Sequence, residues 1–413
     1  MAHFVFVYPQ IKKLTGAQRL ILALAGAVGQ THSGYRVTLL THRFAPECRP
    51  ALPPQVELIE TGFNLNRTNN HYLDSLLEYG SVPFLIKHLP TDTDAICFFG
   101  PPSLPGLWWA KHFSKMSKLD FPRKSKPSLL YFCYEPPRAA YTDRREVSQR
   151  MGRVVGRVAS LLFGLYRPID KYLARQADAI LVNGEYGQSL IATTYGLPST
   201  IITHGFELAQ LPDLDIAAYS IRQRYRLGHR PLILTVNHLH PRKRIDLLLK
   251  AMPAILIECP DAVALIVGQG PEEAALRSLA AQLGLTTNTS DTEDKVIFVG
   301  FVLENELPAY YHATQVYAHL GRAESFGLAV LEANAAGLPV VSANEGGPCE
   351  ILEDEVTGFL VEPQPAQFAK KISWLLQNPD QAQQMGENGA KKVRQRYTWQ
   401  RGAQDFIKIV KSA

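Results

Sequence analysis

Glu324 and Glu332 bracket the stretch ESFGLAVLE, two carboxylates with mostly small or apolar residues between them. The spacing predicts a helix that starts at Ser325, a favoured N-cap residue, and stops at Gly337, with Pro339 just beyond. At 1.5 Å per residue the two carboxylates would then stand about 12 Å apart. Carboxylate pairs that hydrolyse glycosidic bonds stand roughly 5–9.5 Å apart. Two contacts along one elongated ligand fit better than an acid/base dyad. In this reading Ser325, Phe326, Gly327 and Leu328 supply the first free N–H groups of the helix, which attract an anion. Gly327 has no Cβ and would let a phosphate approach the backbone closely. The bland alternative is an amphipathic helix with a solvated glutamate.

Other segments add cations and turns. In VNHLHPRKRIDLLLKA, His238, His240, Arg242, Lys243 and Arg244 fall after a strand and before a helix. Such a place is the carboxyl edge of a sheet, where doubly wound folds bind ligands. Lys243 is the candidate for holding phosphates, whereas Arg242 and Arg244 read as a solvated basic turn. IVGQGPEEAAL is a strand, a glycine turn at Gly268 and a helix, and a lone GxG is weak evidence by itself. NEGGPCEIL adds a further glycine turn, with Glu350 opening a helix.

Those residues must be carried by elements of matching period. Apolar runs that read as strands fall at 4–8, 35–41, 56–60, 95–99, 129–134, 179–183 and 200–205, then at 232–237, 263–268, 296–300, 316–320, 339–343 and 358–362. Near-continuous apolar runs with helix-length spacers indicate parallel strands buried on both faces. The series pauses over the polar, basic stretch 207–231, where we place a hinge. The expectation is an α/β protein of two doubly wound Rossmann-like domains, 1–210 and 225–395, with a C-terminal helix over 396–413 free to pack back on the first. The polar insert 285–294 reads as a surface loop. The segment 151–176 mixes apolar residues with Arg153, Arg157, Arg167, Lys171 and Arg175, and reads either as a membrane-surface helix or as an ordinary helix packed on its own domain.

Bulk composition sets the limits. A chain of 413 residues, 46% hydrophobic and 20% charged, is an ordinary globular composition with room for two domains. A net charge of +5 permits an anionic substrate or surface without demanding one, and a nucleic-acid partner is not expected. The five cysteines are scattered with no CxxC, which points to a reduced compartment and no structural zinc. The start MAHFVFVYPQ lacks a signal-peptide pattern, and the apolar runs are too short to span a bilayer. A cytoplasmic protein is expected, with peripheral membrane association as one reading, and the sequon at 288–290 then carries no meaning.

With these residues in view, the stretch from Glu324 to Pro363 resembles the signature of glycosyltransferase family 4, retaining enzymes of the GT-B fold. The order of segments matches from about residue 3 to residue 399. The resemblance implies two Rossmann-like domains facing across a cleft. It implies Glu324 on the donor sugar, Glu332 on the nucleotide ribose and the diphosphate on the backbone from Ser325 to Leu328. Lys243 matches the diphosphate-binding lysine and Arg322 the arginine before the motif. Val302 falls in the segment that cradles the base, and Gly16 where the N-terminal glycine loop approaches the diphosphate. HGFE, 204–207, resembles a family turn before the hinge.

The chain also departs from that pattern. His238 lies in Asn237-His238-Leu239, where the family carries an arginine; Arg244 replaces a glycine, and Leu320-Gly321 a Pro-Ser pair. Tyr134 stands where the family places a histidine beside the donor sugar, so Tyr134, Glu135 and Arg138 are the candidates on the sugar or acceptor side; strand-end packing is the plain alternative for Tyr134. The resemblance implies retaining transfer of a hexose, of mannose or glucose type, from a GDP- or UDP-sugar to a hydroxyl on a glycan or lipid-linked glycan. Neither a metal nor a resident cofactor is expected. Other classes are a GT-B nucleotide-sugar epimerase, a catalytically silent nucleotide-sugar-binding subunit, and a nicotinamide oxidoreductase; the last needs a GxGxxG that 7–18 lacks.

Overall fold

The computed structural model of the chain describes residues 2–31, 34–63, 71–113, 126–143, 153–206, 213–285 and 294–412. The sequon, most of the insert at 285–294, positions 207–212 of the expected hinge and 151–152 of the basic segment lie outside the described residues. The chain divides into two units, Met1–Gly205 with Trp399–Ala413, and Phe206–Thr398.

The first unit carries β1 (Ala2–Val7), β2 (Gln10–Ile11), β3 (Tyr35–Thr41), β4 (Arg43–Phe44), β5 (Val56–Glu60), β6 (Ala95–Phe99), β7 (Ser128–Phe132), β8 (Ala179–Val182) and β9 (Thr200–Ile201). Seven of them form one parallel sheet in the order β5-β3-β1-β6-β7-β8-β9, while β2 and β4 pair separately. Alternation along β1 explains why both faces are covered. Phe4 and Phe6 enter one core with Phe99 and Phe132, and Val5 and Val7 enter the opposite core with Phe98 and Tyr131. The C-terminal helix Trp399–Ser412 completes the first of these cores: Phe406 packs edge-on against Phe4 and Phe6, at 5.8 and 5.3 Å between ring centroids. Asp405 ties the same helix down by accepting from the Thr203 amide at 3.0 Å and the Thr203 hydroxyl at 2.6 Å.

The second unit carries β10 (Leu232–Val236), β11 (Val263–Val267), β12 (Val296–Gly300), β13 (Val316–His319), β14 (Val340–Ala343) and β15 (Gly358–Val361). Its sheet is parallel throughout, in the order β12-β11-β10-β13-β14-β15. Here too alternate residues serve opposite cores, Ile233 on one face and Leu232 and Leu234 on the other. The strand order reverses between β10 and β13. A crevice opens beyond the carboxyl ends of strands at such a reversal, and this is where open α/β sheets take ligands.

The expected hinge over 207–231 needs correction. Leu214–Arg224 is a helix of the second unit, so that unit begins well before residue 225. Arg222 donates to the Ala313 carbonyl at 2.7 Å, and Tyr225 and Tyr310 share a hydroxyl contact at 3.3 Å. Its polar, arginine-rich surface disguised a helix whose buried side needs only Ala218 and Ile221.

Candidate functional site

Beyond β10 the chain makes a tight turn, Pro241–Lys243, before the helix Ile245–Glu258. Arg244 links the two with φ +48°, a left-handed backbone that side chains rarely adopt. The resemblance puts a glycine there, and that conformation explains why. Arg244 is held by its partners: Nε donates to the Leu320 carbonyl at 2.8 Å, and Nη2 stands 2.9 Å from the Glu345 carboxylate. Beyond β13 the chain runs through Gly321 to Gly327, and the Arg322 amide donates to the Arg242 carbonyl at 2.9 Å. These contacts lock the two loops at the strand-order reversal to one another.

Between them lies an ion cluster. Lys243 Nζ stands 2.5 Å from Glu324 Oε1, and Arg242 Nη1 is 3.6 Å from the same oxygen. Burial alone would raise the Glu324 carboxyl, but Lys243, with help from His319 and Arg242, outweighs it and holds the group down at about 2. Arg242 and Arg244 are therefore not a solvated turn: both side chains are less than a quarter exposed and both meet carboxylates.

The structure also corrects the start of the helix after Glu324. The helix is Leu328–Ala335, capped by Gly327 at φ +96°, with no side-chain cap. Ser325 therefore lies in the preceding loop and is not the N-cap, as Phe326 is likewise outside the helix. The first amides without an intrahelical acceptor are those of Leu328 and Ala329. Only five of the nine residues from Glu324 to Glu332 are helical, so a straight helical rise does not describe their separation. The loop Glu345–Pro348 explains the late start. The Gly347 amide donates to the Glu324 carbonyl at 2.8 Å, and a methyl group on Gly327 would meet Pro348 Cγ at 2.8 Å.

Glu332 is not a solvated glutamate either. It is 8% exposed, and its Oε2 accepts from the Tyr311 hydroxyl at 2.8 Å. Gly268 follows β11 at φ +124°, where a methyl group would come within 1.8 Å of the Asn237 carbonyl oxygen; only glycine lets the two segments pass. His238 is exposed, and its Nδ1 meets the Gln269 carbonyl at 2.6 Å, which fixes the tautomer with the proton on Nδ1. Val302 is 9% exposed in the unit's core, with exposed Phe301 and Leu303 on either side. Arg322 is exposed.

One residue of this cluster escaped sequence reasoning. His319, the last residue of β13, is 1% exposed, and neither ring nitrogen has a hydrogen-bond partner among the described residues. Burial pushes its pKa down to about 4, which keeps the ring neutral. A methyl group on Gly321 would stand 2.6 Å from Glu324 Oε1 and 3.2 Å from His319 Nε2, so the imidazole and the carboxylate flank one small space. The signal was a histidine inside an apolar strand run, which reads as core.

The remaining candidates belong to the first unit. Gly16 opens the helix Gly16–Thr31, just after Thr15, whose amide donates to the Gln18 side chain at 3.2 Å. Tyr134 stacks on Phe99 at 6.3 Å and lies tilted against Phe132 at 5.3 Å, and its hydroxyl reaches the Ala17 carbonyl at 3.4 Å. Glu135 and Arg138 form an ion pair with each other, and Arg138 also meets Asp143 at 3.7 Å.

Two parallel doubly wound sheets, with an ion cluster at the strand-order reversal of the second, define a GT-B-type α/β protein. The family model of the glycosyl transferases group 1 matches residues 220–392. The GDP-mannose-dependent alpha-(1-6)-phosphatidylinositol monomannoside mannosyltransferase of Mycolicibacterium smegmatis is 31% identical over 273 residues, 63% of this chain and 68% of the relative. Its counterpart from Mycobacterium tuberculosis is 32% identical over 248 residues, 56% of this chain and 61% of the relative, so the match spans about three fifths of that protein. This chain belongs to the glycosyl transferases group 1 family. The crystal structure of Anabaena HepE in complex with UDP-glucose superposes with a TM-score of 0.71 at 19% identity, over 100% of both chains, a likeness of fold.

Proposed function

We propose that the chain is a retaining hexosyltransferase that moves mannose from GDP-mannose to a hydroxyl on a glycan or lipid-linked glycan. The observation that carries this reading is the buried Glu324 carboxylate, ionised by Lys243 and Arg242 beside the first amides of the helix Leu328–Ala335. The mannosyl donor is supported by the mycobacterial relatives, which are GDP-mannose-dependent mannosyltransferases. UDP-glucose is the nearest competing donor.

On this reading the leaving nucleoside diphosphate gains negative charge as the bond from the anomeric carbon to its oxygen breaks. Lys243, Arg242 and the Leu328 and Ala329 amides stabilise that charge, fixed in place before the reaction. Glu324 holds sugar hydroxyls and is not a nucleophile. The acceptor oxygen attacks from the face the phosphate leaves, and its proton passes to the departing phosphate oxygen. Glu332 takes the ribose, and Val302, Gly268 and His238 line the nucleotide side; Ser325, Phe326, Gly327 and Arg322 frame the diphosphate. For Gly16, Tyr134, Glu135 and Arg138 the proposed roles are those that the resemblance implies, the diphosphate for Gly16 and the sugar or acceptor side for the other three. The reading calls on no metal and no resident cofactor.

The test is a screen of GDP-mannose, GDP, UDP-glucose and UDP by thermal shift, followed by nucleoside diphosphate release. GDP-mannose should stabilise the protein most and should release GDP, and Glu324→Ala should abolish release. Turnover by Glu324→Ala equal to the wild type would sink the assignment, as would epimerised donor without released nucleotide.

A further inference from the structure

The helix Arg153–Ala174 presents an apolar stripe to solvent and turns Asp170 and Arg167, together with Ala174, toward its own unit. Val158, Leu161, Leu162, Leu165, Ile169 and Tyr172 are each 50–64% exposed. At about 100° per residue they share an arc of roughly 100°, and they run for about 21 Å along the axis. The inward side carries Asp170, which is fully buried and accepts from Tyr141 at 3.1 Å, Tyr166 at 2.8 Å and Tyr195 at 2.8 Å. Arg167 lies on that side too, donating to the Ala140 carbonyl at 2.6 Å and covering the Tyr141 ring. An ordinary surface helix shows the reverse arrangement. A contiguous apolar stripe of this length in water marks a surface that meets a partner.

Charge selects the partner. Between residues 153 and 176 the sequence holds one acidic residue, the buried Asp170. Exposed Arg157 and Arg175, with half-buried Lys171 between them, fall along one border of the stripe. A second copy docked through the same face would bring two basic borders together with no exposed acid on either helix to meet them. An anionic bilayer offers acyl chains to the stripe and headgroups to the border. No helix among the described residues is long and apolar enough to cross a membrane. We propose that this helix docks the protein on an anionic lipid surface, its axis in the membrane plane and its apolar stripe below the headgroups.

The inference goes beyond the donor reading and is measured without nucleotide. The test is co-sedimentation of the full chain with vesicles of pure phosphatidylcholine or of an equimolar mixture with phosphatidylglycerol, at low and high salt. The wild type should bind the mixed vesicles and bind less at high salt. The triple variant Leu161→Gln, Leu165→Gln, Ile169→Gln should lose about tenfold or more of its partitioning. Arg157→Gln with Arg175→Gln should lose mainly the preference for anionic vesicles. Both variants should keep the wild-type Tm and far-UV circular dichroism without any ligand, which separates lost docking from lost folding. Wild-type protein that stays in the supernatant with both vesicles would overturn the proposal. So would a triple variant that binds as the wild type does. A wild-type dimer in light scattering, abolished by the triple variant with no vesicle binding at any salt, would assign the stripe to self-association instead.

Discussion

Replacing Lys243 by Met removes one charge from the centre of the second unit while keeping the length of the side chain. In the wild type the Glu324 carboxyl is held at about 2, against an ordinary 4.5, because Lys243 leads the groups that outweigh its burial. A difference of roughly 2.5 units corresponds to about 3 kcal/mol of stability at neutral pH. Lys243→Met leaves Arg242, at 3.6 Å, as the nearest cation, and most of that contribution should vanish. For a unit of this size the expected fall in Tm is about 6–12 °C. The sign with pH is fixed by the direction of the shift. A depressed carboxyl stabilises the fold above its unfolded pKa and loses that contribution as pH falls through the folded value. The wild type should therefore lose this increment between about 4.5 and 2, and the variant should show a shallower fall there. The assay is thermal and urea unfolding of wild type, Lys243→Met, Glu324→Gln and the double variant. Coupling of about 2–3 kcal/mol is expected from the cycle. Additivity within about 0.5 kcal/mol would refute the buried pair as an energetic unit.

Three further outcomes follow from the same geometry. Gly268→Ala should destabilise the second unit by several kcal/mol, because the methyl group would stand 1.8 Å from the Asn237 carbonyl oxygen; a wild-type Tm would contradict that close approach. The buried His319 is held at about 4, below its ordinary 6.5, so the folded state binds fewer protons and stability should drop as pH is lowered from about 6.5 to 4. His319→Gln should flatten the slope, measured as Tm against pH; an unchanged slope would place the ring in water. Glu332→Ala should weaken GDP binding by about 10–100-fold by calorimetry while Tyr311→Phe, which removes the 2.8 Å hydrogen bond and spares the carboxylate, should cost less.

Much of this was legible in the chain because long apolar strands buried on both faces leave a strong trace. The runs at 4–8, 35–41 and 263–268 gave strands, and the site fell where two of them end. Short-range chemistry was less legible. β2 and β4 are two residues each and carry no period to read. Ser325 looked like a cap, but the loop at Gly346–Pro348 occupies the space beside Glu324 and defers the helix to Leu328. Arg242 and Arg244 looked solvated because their partners, Glu324 and Glu345, lie far along the sequence. His319 looked like core, since nothing local distinguishes a packed histidine from one left unpartnered beside a carboxylate. The helix Arg153–Ala174 was legible as amphipathic, but which side faces outward depends on Asp170 and its three tyrosines, which no local pattern encodes.

The central claim, that a nucleotide diphosphate sugar is held on the second unit between Glu324 and the start of the following helix, is tested most directly by a crystal structure of the protein with GDP bound. The diphosphate should lie on the Leu328 and Ala329 amides and the ribose on Glu332, with Lys243 turned from Glu324 toward phosphate oxygen. A diphosphate bound elsewhere, with Lys243 still closed on Glu324, would contradict it.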